Sequence, residues 1–231
     1  MKTLVIIPAY NEELNIKKTV DDIKANSNFE YVVINDCSKD NTEEVCKNNG
    51  YNYVSLPINY GLSSAIQIGM KYALENEYDI AIQFDGDGQH DAKYLSALSK
   101  AIEENETDIA IGSRFVTEKK ELSIRMIGSR VISTFIKLIT GKRIKDPTSG
   151  MRAYNKNAIK EIAKNSSLTP EPDTMVYFLK RGYRIKEIQV KMSDREYGES
   201  YLNSWKSIEY MFNVIFSIIF IRAFTKKKKE K

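Results

Sequence analysis

IAIQFDGDGQHD, residues 80–91, is the most informative stretch of this 231-residue chain. It opens with an apolar run typical of a buried strand and ends in a turn that carries Asp85 and Asp87. Parallel sheets bind their ligands beyond the carboxyl ends of the strands, so an acidic pair at this place indicates a ligand site. The alternative interpretation is an ordinary polar turn.

Similar apolar runs recur on both sides of this stretch and alternate with segments of helical periodicity. We predict strands at residues 4–7, 31–34, 53–56, 80–84 and 109–112, with helices at residues 12–25, 42–48, 62–74 and 92–103. Further along we predict helices at residues 121–140 and 173–180, a loop at residues 146–152 and a strand at residues 184–190. The pattern predicts an α/β fold with a mostly parallel sheet flanked by helices.

Composition excludes some classes of protein. Hydrophobic residues make up 42% and charged residues 29%, as in a globular protein with one sizeable core. The net charge is only +4, and five lysines lie in residues 226–231, which argues against a nucleic-acid-binding protein and for a local basic patch. Cys37 and Cys46 lack the spacing of a metal site or redox pair, so we predict free thiols in a reducing compartment.

The two ends of the chain bear on its location. The N-terminus runs directly into an apolar segment broken by Pro8, which predicts a first strand and no signal peptide, and so a cytoplasmic protein. Residues 210–221 are uncharged and mostly apolar, but a spanning helix needs ~20 such residues. We predict an amphipathic or apolar C-terminal helix that lies on the inner face of the membrane, with the lysines against anionic lipid. The alternative is a buried helix with a solvated tail.

The acidic pair suits a particular chemistry. Asp85 and Asp87 can together address a divalent cation and a nucleotide diphosphate, because hard cations prefer oxygen ligands. Gly86 and Gly88 allow a ligand to approach the backbone closely. Asp36 follows the second predicted strand and can accept hydrogen bonds from a base or ribose, although a helix N-cap is the alternative.

Two other residues remain open on sequence grounds. Gly61 begins a predicted helix whose N-terminus can face phosphate, but it is equally consistent with a simple turn. We interpret His90, the single histidine of the chain, as a turn residue, because a lone imidazole is weak support for a metal site.

A resemblance rests on five motifs in order along the chain: PAYNE at residues 8–12, NDCS at 35–38, NYG at 59–61, DGDGQH at 85–90 and SGMRAY at 149–154. Together they resemble the glycosyltransferase family 2 enzymes of GT-A fold, and most closely the dolichol- and polyprenyl-phosphate sugar synthases. The resemblance runs from residue 4 to about residue 202. It implies a Rossmann-like catalytic domain over residues 1–202, followed by a membrane-associating helix and basic tail over residues 203–231.

The resemblance assigns roles to residues of this chain. It implies a nucleotide site at Pro8, Ala9, Tyr10, Glu12, Asp36, Asp85 and Gly86, and a Mg²⁺ or Mn²⁺ site at Asp85, Asp87 and Gln89. Catalytic roles are implied for Asp87, Asp173, Arg114 and Arg195, and acceptor contacts for Arg125, Ser129, Arg130, Asp146, Ser149 and Arg152. For Arg125 and Arg130 the alternative is the solvated face of an amphipathic helix.

Three functions remain open. The first is an inverting transferase that moves a sugar from a UDP- or GDP-linked donor to a polyprenyl phosphate, with or without a small membrane protein partner. The second is a transferase that extends a glycan at a sugar hydroxyl, for which Asp173 is the candidate base. The third is a catalytically silent nucleotide-sugar-binding protein. Asn35 and Tyr201 depart from the family pattern, which more often has aspartate and lysine there.

Overall fold

The computed structural model of the chain describes residues 1–105, 107–118, 124–193 and 204–221. Seven strands form one sheet: β1 (Thr3–Ala9), β2 (Glu30–Asn35), β3 (Tyr53–Ser55), β4 (Ile80–Gln83), β5 (Ile109–Ser113), β6 (Arg152–Asn155) and β7 (Ile185–Gln189). Their spatial order is β3-β2-β1-β4-β6-β5-β7. β6 pairs antiparallel with both of its neighbours, and the other pairs are parallel. The predicted α/β class with a mostly parallel sheet is confirmed.

Eight helices surround the sheet: α1 (Ile16–Asn26), α2 (Thr42–Asn48), α3 (Leu62–Glu75), α4 (Leu95–Glu103), α5 (Ile124–Thr140), α6 (Lys156–Lys164), α7 (Pro172–Lys180) and α8 (Ser204–Phe216). A 3₁₀ turn at Ala92–Tyr94 precedes α4, and a π-helical turn at Ser217–Ile221 continues α8. No helix within the described ranges has the length and apolar character needed to cross a bilayer.

The central strand β1 shows how the sequence forms two packed layers. All of its residues are buried, and successive side chains point to opposite faces of the sheet. Leu4 and Ile6 belong to the core that contains α3, α6 and α7, whereas Val5 and Ile7 belong to the core that contains α1 and α4. A strand buried on both faces needs a continuous apolar run, as β1 has.

β6 and α6 were not predicted. The residues of β6 include Arg152 and Asn155 and do not form an apolar run. β6 is fixed instead by its two flanking strands, which supply hydrogen bonds on both sides. A four-residue strand that depends on long-range pairing leaves little local signal.

α1 begins later than predicted, at Ile16 instead of residue 12. Asn11 has a left-handed backbone with φ +57°. The amide of Glu12 donates to the hydroxyl of Thr42, the first residue of α2, at 2.8 Å. This tertiary contact holds residues that have helical periodicity in a loop.

Both cysteines are free, as predicted. Cys46 is buried on α2, and its burial together with the nearby Glu43 carboxylate raises the pKa of the thiol to about 11. The thiol is therefore protonated and inert at neutral pH.

α3 packs closely on the sheet at Gly69, where an added Cβ would lie 2.3 Å from Ile6 Cγ2. We expect Gly69→Ala to lower the free energy of unfolding by about 1–3 kcal/mol through overpacking. Urea unfolding measures the change, with Lys71→Ala on the exposed side of α3 as the control. Equal urea midpoints for the two variants would contradict this packing.

Candidate active site

The candidate site lies at the edge of the sheet where β1, β2, β4 and β5 end. β6 has the opposite direction and begins at this edge, with Arg152 in register with Gln83 of β4. The amide of Gly112 at the end of β5 donates to the carbonyl of Met151 at 2.8 Å, which ties the loop of residues 146–151 to the same edge. The topology therefore gathers loops that are far apart in the sequence.

Asp85 and Asp87 lie in the turn after β4, and both are partly exposed. Gln83 Nε2 donates to Asp85 Oδ1 at 3.3 Å, and the backbone amide of Gln89 donates to Asp87 Oδ1 at 3.1 Å. Each carboxylate is thus oriented by a neighbour in the chain and remains accessible to a ligand.

Two glycines allow the turn to pack tightly. A Cβ added at Gly86 would lie 2.9 Å from the carbonyl oxygen of Pro8, at the end of β1. A Cβ added at Gly150 would lie 2.1 Å from Asp85 Oδ2, so the carboxylate rests on the backbone of the loop before β6. Because neither glycine has a side chain, the turn lies close to the end of β1, and the Asp85 carboxylate lies close to the loop before β6.

His90 has a larger role than the turn position predicted for it. It is buried, and its Nδ1 accepts a hydrogen bond from the backbone amide of Asp85 at 3.3 Å. Its Nε2 lies 3.7 Å from Asp85 Oδ2, and its ring packs edge-on against Phe84. The histidine thus closes the turn around Asp85. In the sequence, the sign of this contact is that His90 follows Asp85 by five residues.

The two carboxylates suit a hard divalent cation. Within the described ranges, no group of three acidic, cysteine or histidine side chains could hold a metal by itself. A cation here would complete its coordination with water and with the oxygens of a bound diphosphate. Gln89, the third predicted ligand, has its amide nitrogen directed at the carbonyl of Ser193 at 3.4 Å.

The predicted nucleotide contacts lie at the ends of β1 and β2. Pro8 and Ala9 are buried, whereas Tyr10 is 40% exposed at the end of β1. Glu12 is almost buried, and its Oε2 accepts a hydrogen bond from Asn15 Nδ2 at 2.7 Å. Among these four predicted contacts, Tyr10 offers the largest surface to a ligand.

Asp36 holds the loop that leads into α3. Its carboxylate oxygens accept hydrogen bonds from the backbone amides of Tyr60 at 2.8 Å and Gly61 at 2.7 Å. It is 2% exposed, so it does not cap α2 and it is not open to solvent. Gly61 has φ +84°, a backbone conformation that glycine adopts readily. Asp36 therefore fixes the position of the N-terminus of α3 at the edge of the sheet.

Arg114 and Asp146, assigned by resemblance to different roles, form one ion pair. Arg114 Nε lies 2.8 Å from Asp146 Oδ2 and Nη2 lies 2.9 Å from Oδ1, a two-pronged geometry. The backbone amide of Arg114 also donates to Asp146 Oδ2. Asp146 is fully buried, and Arg114 is partly exposed. Asp146 therefore orients the arginine and is not itself available to an acceptor.

Ser149 and Arg152 likewise hold the loop and do not face a ligand. The Ser149 hydroxyl donates to the carbonyl of Gly112 at 2.5 Å. Arg152 is 1% exposed, and its guanidinium donates to the carbonyls of Ser149, Pro147 and Pro170. Because these donors are directed at backbone carbonyls inside the protein, Arg152 is not placed to contact an acceptor as the resemblance implied. The arginine supports the site from behind.

Asp173 lies in the first turn of α7 and is 6% exposed. Its Oδ2 accepts a hydrogen bond from the hydroxyl of Ser217 at 2.7 Å. The nearby Glu171 accepts from Tyr210 and, at 3.4 Å, from Ser63 in the first turn of α3. Ser63 places this acidic pair beside the N-terminus of α3. No sequence pattern indicates that the C-terminal helix supplies these two hydroxyls.

The remaining acceptor residues are only partly described. On α5, Ser129 is 2% exposed and Arg130 is exposed, so the two side chains leave the helix in different directions. The side chain of Arg125 and the whole of Arg195 lie outside the described residues. Arg130 is thus the one predicted acceptor residue on α5 that the structure places at the surface.

Comparison with known proteins supports the relationship expected from the motifs. The chain is 27% identical to a polyprenol monophosphomannose synthase of Mycolicibacterium smegmatis, covering 92% of this chain and 85% of that protein. It is 32% identical to a dolichol-phosphate mannosyltransferase of Pyrococcus furiosus, covering 93% of this chain and 63% of that protein. The predicted similarity to polyprenyl-phosphate sugar synthases is confirmed.

Solved structures share the fold. Glucosyl-3-phosphoglycerate synthase of Mycobacterium tuberculosis, in complex with Mn²⁺, UDP-glucose and phosphoglyceric acid, superposes with a TM-score of 0.68 at 17% identity, covering 96% of this chain and 79% of that one. The model of the family described as glycosyl transferase family 2 matches residues 4–163. This match spans more than half of the chain, and the chain therefore belongs to glycosyl transferase family 2.

Proposed function

We propose that this glycosyltransferase moves a sugar from a nucleotide-sugar to a polyprenyl phosphate at a membrane surface, with Mg²⁺ or Mn²⁺ bound at Asp85 and Asp87. The observation that carries the proposal is the position of Asp85, pressed on Gly150 and bracketed by His90 at the carboxyl edge of the sheet. The relatives named for transfer to polyprenol, dolichyl and undecaprenyl phosphates support the acceptor class.

The donor fits across the ends of β1, β2 and β4. Tyr10 is exposed beside the place for the base, and Asp36 holds the N-terminus of α3 at the edge of the sheet where we place the phosphates. A bound divalent cation would neutralise the charge that develops on the leaving diphosphate. Arg114 uses Nε and Nη2 for Asp146, which leaves Nη1 outside the ion pair for a phosphate oxygen.

The acceptor reacts by in-line attack on the anomeric carbon, opposite the diphosphate. A lipid phosphate is already an anion, so it needs no strong base. Transfer to a sugar hydroxyl is the second candidate, and the buried carboxylate of Asp173 favours it, because a hydroxyl nucleophile must give up its proton. Comparing undecaprenyl phosphate with a lipid-linked sugar as the acceptor distinguishes the two.

The membrane assignment is supported by a row of exposed aromatic side chains. Phe212, Phe216 and Phe220 recur every four residues along α8 and its π-helical turn, and they are 71%, 58% and 59% exposed. Leu138 on α5 is 74% exposed, and α5 packs on α8. Exposed apolar rows of this kind mark surfaces that bind lipid or protein. The lysines of residues 226–231 follow this row in the sequence and suit anionic lipid.

Removing one metal-binding carboxylate tests the proposed chemistry. We expect Asp87→Ala to lower kcat/KM by at least about a hundredfold, because the leaving diphosphate loses its counter-charge. Nucleotide release is followed for UDP- and GDP-sugars with undecaprenyl phosphate and Mg²⁺ or Mn²⁺. Asp79→Asn, at the opposite end of β4, is the control. Activity of Asp87→Ala near that of wild type in saturating Mn²⁺ would refute the assignment.

The contact between Gly150 and Asp85 provides a second test. In Gly150→Ala the new methyl group displaces the Asp85 carboxylate, and we expect Mn²⁺ affinity to fall by about 10- to 100-fold. Mn²⁺ binding in the presence of UDP is measured by electron paramagnetic resonance, and thermal unfolding checks the fold. Unchanged Mn²⁺ affinity with unchanged stability would show that Asp85 is not a ligand.

Membrane binding is tested with vesicles. We expect Phe216→Asp to weaken sedimentation with both neutral and anionic vesicles by about tenfold or more, since an apolar side chain loses its place in lipid. Deleting residues 225–231 should weaken sedimentation with anionic vesicles only. Leu14→Asp, 65% exposed before α1 on the other layer, is the control. Sedimentation of all three proteins like that of wild type would remove the membrane from the proposal.

A further inference from the structure

The C-terminal helix has two chemically different faces. Tyr210, Val214, Ser217 and Ile218 form the face directed at the protein, and Val214 and Ile218 are buried in the main core. Phe212, Phe216 and Phe220 form the exposed face. Tyr210 and Ser217 are part-buried on this inward side, where a hydroxyl group shielded from water needs a hydrogen-bond partner in the protein.

The position of the helix is fixed by close packing on α5. A Cβ added at Gly128 would lie 1.6 Å from Met211 Sδ, so the methionine of α8 occupies the notch that the glycine leaves in α5. Val214 and Ile218 share a core cluster with Ile132 and Ile136 of α5. The depth of this contact sets where the two hydroxyls of the helix lie.

Both hydroxyls are directed at the acidic pair at the start of α7. Ser217 donates to Asp173 Oδ2 at 2.7 Å, and Tyr210 donates to Glu171 Oε2. Burial and the negative charge of Glu171 raise the pKa of Tyr210 well above its usual value, so the phenol remains a proton donor. Ser217 is the first residue of the π-helical turn, and such turns occur frequently at functional sites.

We propose that Tyr210 and Ser217 are positioning residues that orient Glu171 and Asp173 for the transfer reaction. The same helix carries the aromatic face that we assign to the membrane, so seating of the helix on lipid and orientation of the acidic pair are linked mechanically. This inference rests on the proposed function with a sugar hydroxyl as the acceptor, because that acceptor has a proton for Asp173 to accept. A carboxylate held in one rotamer by a donor is oriented before the acceptor arrives.

The experiment uses the 231-residue chain with UDP-glucose or GDP-mannose and, in anionic vesicles, a lipid-linked sugar or undecaprenyl phosphate as the acceptor. We expect Ser217→Ala and Tyr210→Phe each to lower kcat by about ten- to a hundredfold, since the reaction slows steeply when a reacting group is misplaced. The KM for the nucleotide-sugar and the sedimentation with vesicles should stay as in wild type. Ser217→Thr keeps the hydroxyl and should restore most of the lost kcat.

Tyr78→Phe is the matched control, since Tyr78 is a buried tyrosine that donates to Glu30 at 2.7 Å beside the opposite edge of the sheet. The inference is overturned if Ser217→Ala and Tyr210→Phe keep the kcat of this control. It is also overturned if Ser217→Thr is as slow as Ser217→Ala, or if kcat falls only together with the melting temperature. Wild-type protein that releases no nucleotide from either donor would instead overturn the proposed function itself.

Discussion

The site depends on one steric constraint, the contact of the Asp85 carboxylate with the bare backbone of Gly150. β4 brings the aspartate to the edge of the sheet, and β6 brings the glycine to the same place from the opposite direction. Because β6 is the antiparallel strand, its preceding loop can meet the end of β4. A sheet with parallel strands alone would place the start of that strand at the other edge. The exception to parallel pairing is thus what completes the site.

The charged residues of this site form two groups that differ in burial. Asp85 and Asp87 are partly exposed, whereas Asp36, Asp146 and Arg152 are buried and form their hydrogen bonds within the protein. Buried charges are tolerated when they are paired or fully hydrogen-bonded, and these residues satisfy that condition. These buried residues hold the loops in place, so Asp85 and Asp87 can bind or release a ligand without a change in the fold.

The sequence was sufficient for the strands that are apolar runs and for the acidic turn, because both depend on local pattern. It failed at β6, whose pairing is wholly long-range, and the resemblance did not indicate that backbone carbonyls surround Arg152. Asn35 is explained only by structure. Its amide accepts from the Ser38 backbone and donates to Ser55, with Glu43 nearby, so an aspartate would meet a second negative charge.

The C-terminal helix was predicted from its apolar run and the lysines that follow it, and neither feature indicates the two hydroxyls that the helix directs at the protein. A helix that merely rests on lipid has no need of inward-facing hydroxyls, and a helix that merely fills a core has no need of three exposed phenylalanines. α8 and its π-helical turn have both features. The two hydroxyl residues lie seven residues apart, and the exposed phenylalanines lie four residues apart. Val214 and Ile218 anchor the inward face in the core, and the hydrogen bonds of Tyr210 and Ser217 join the same helix to the start of α7. A family 2 transferase whose acceptor is carried by a membrane gains from this arrangement, because the acidic pair is then ordered best where the acceptor is found.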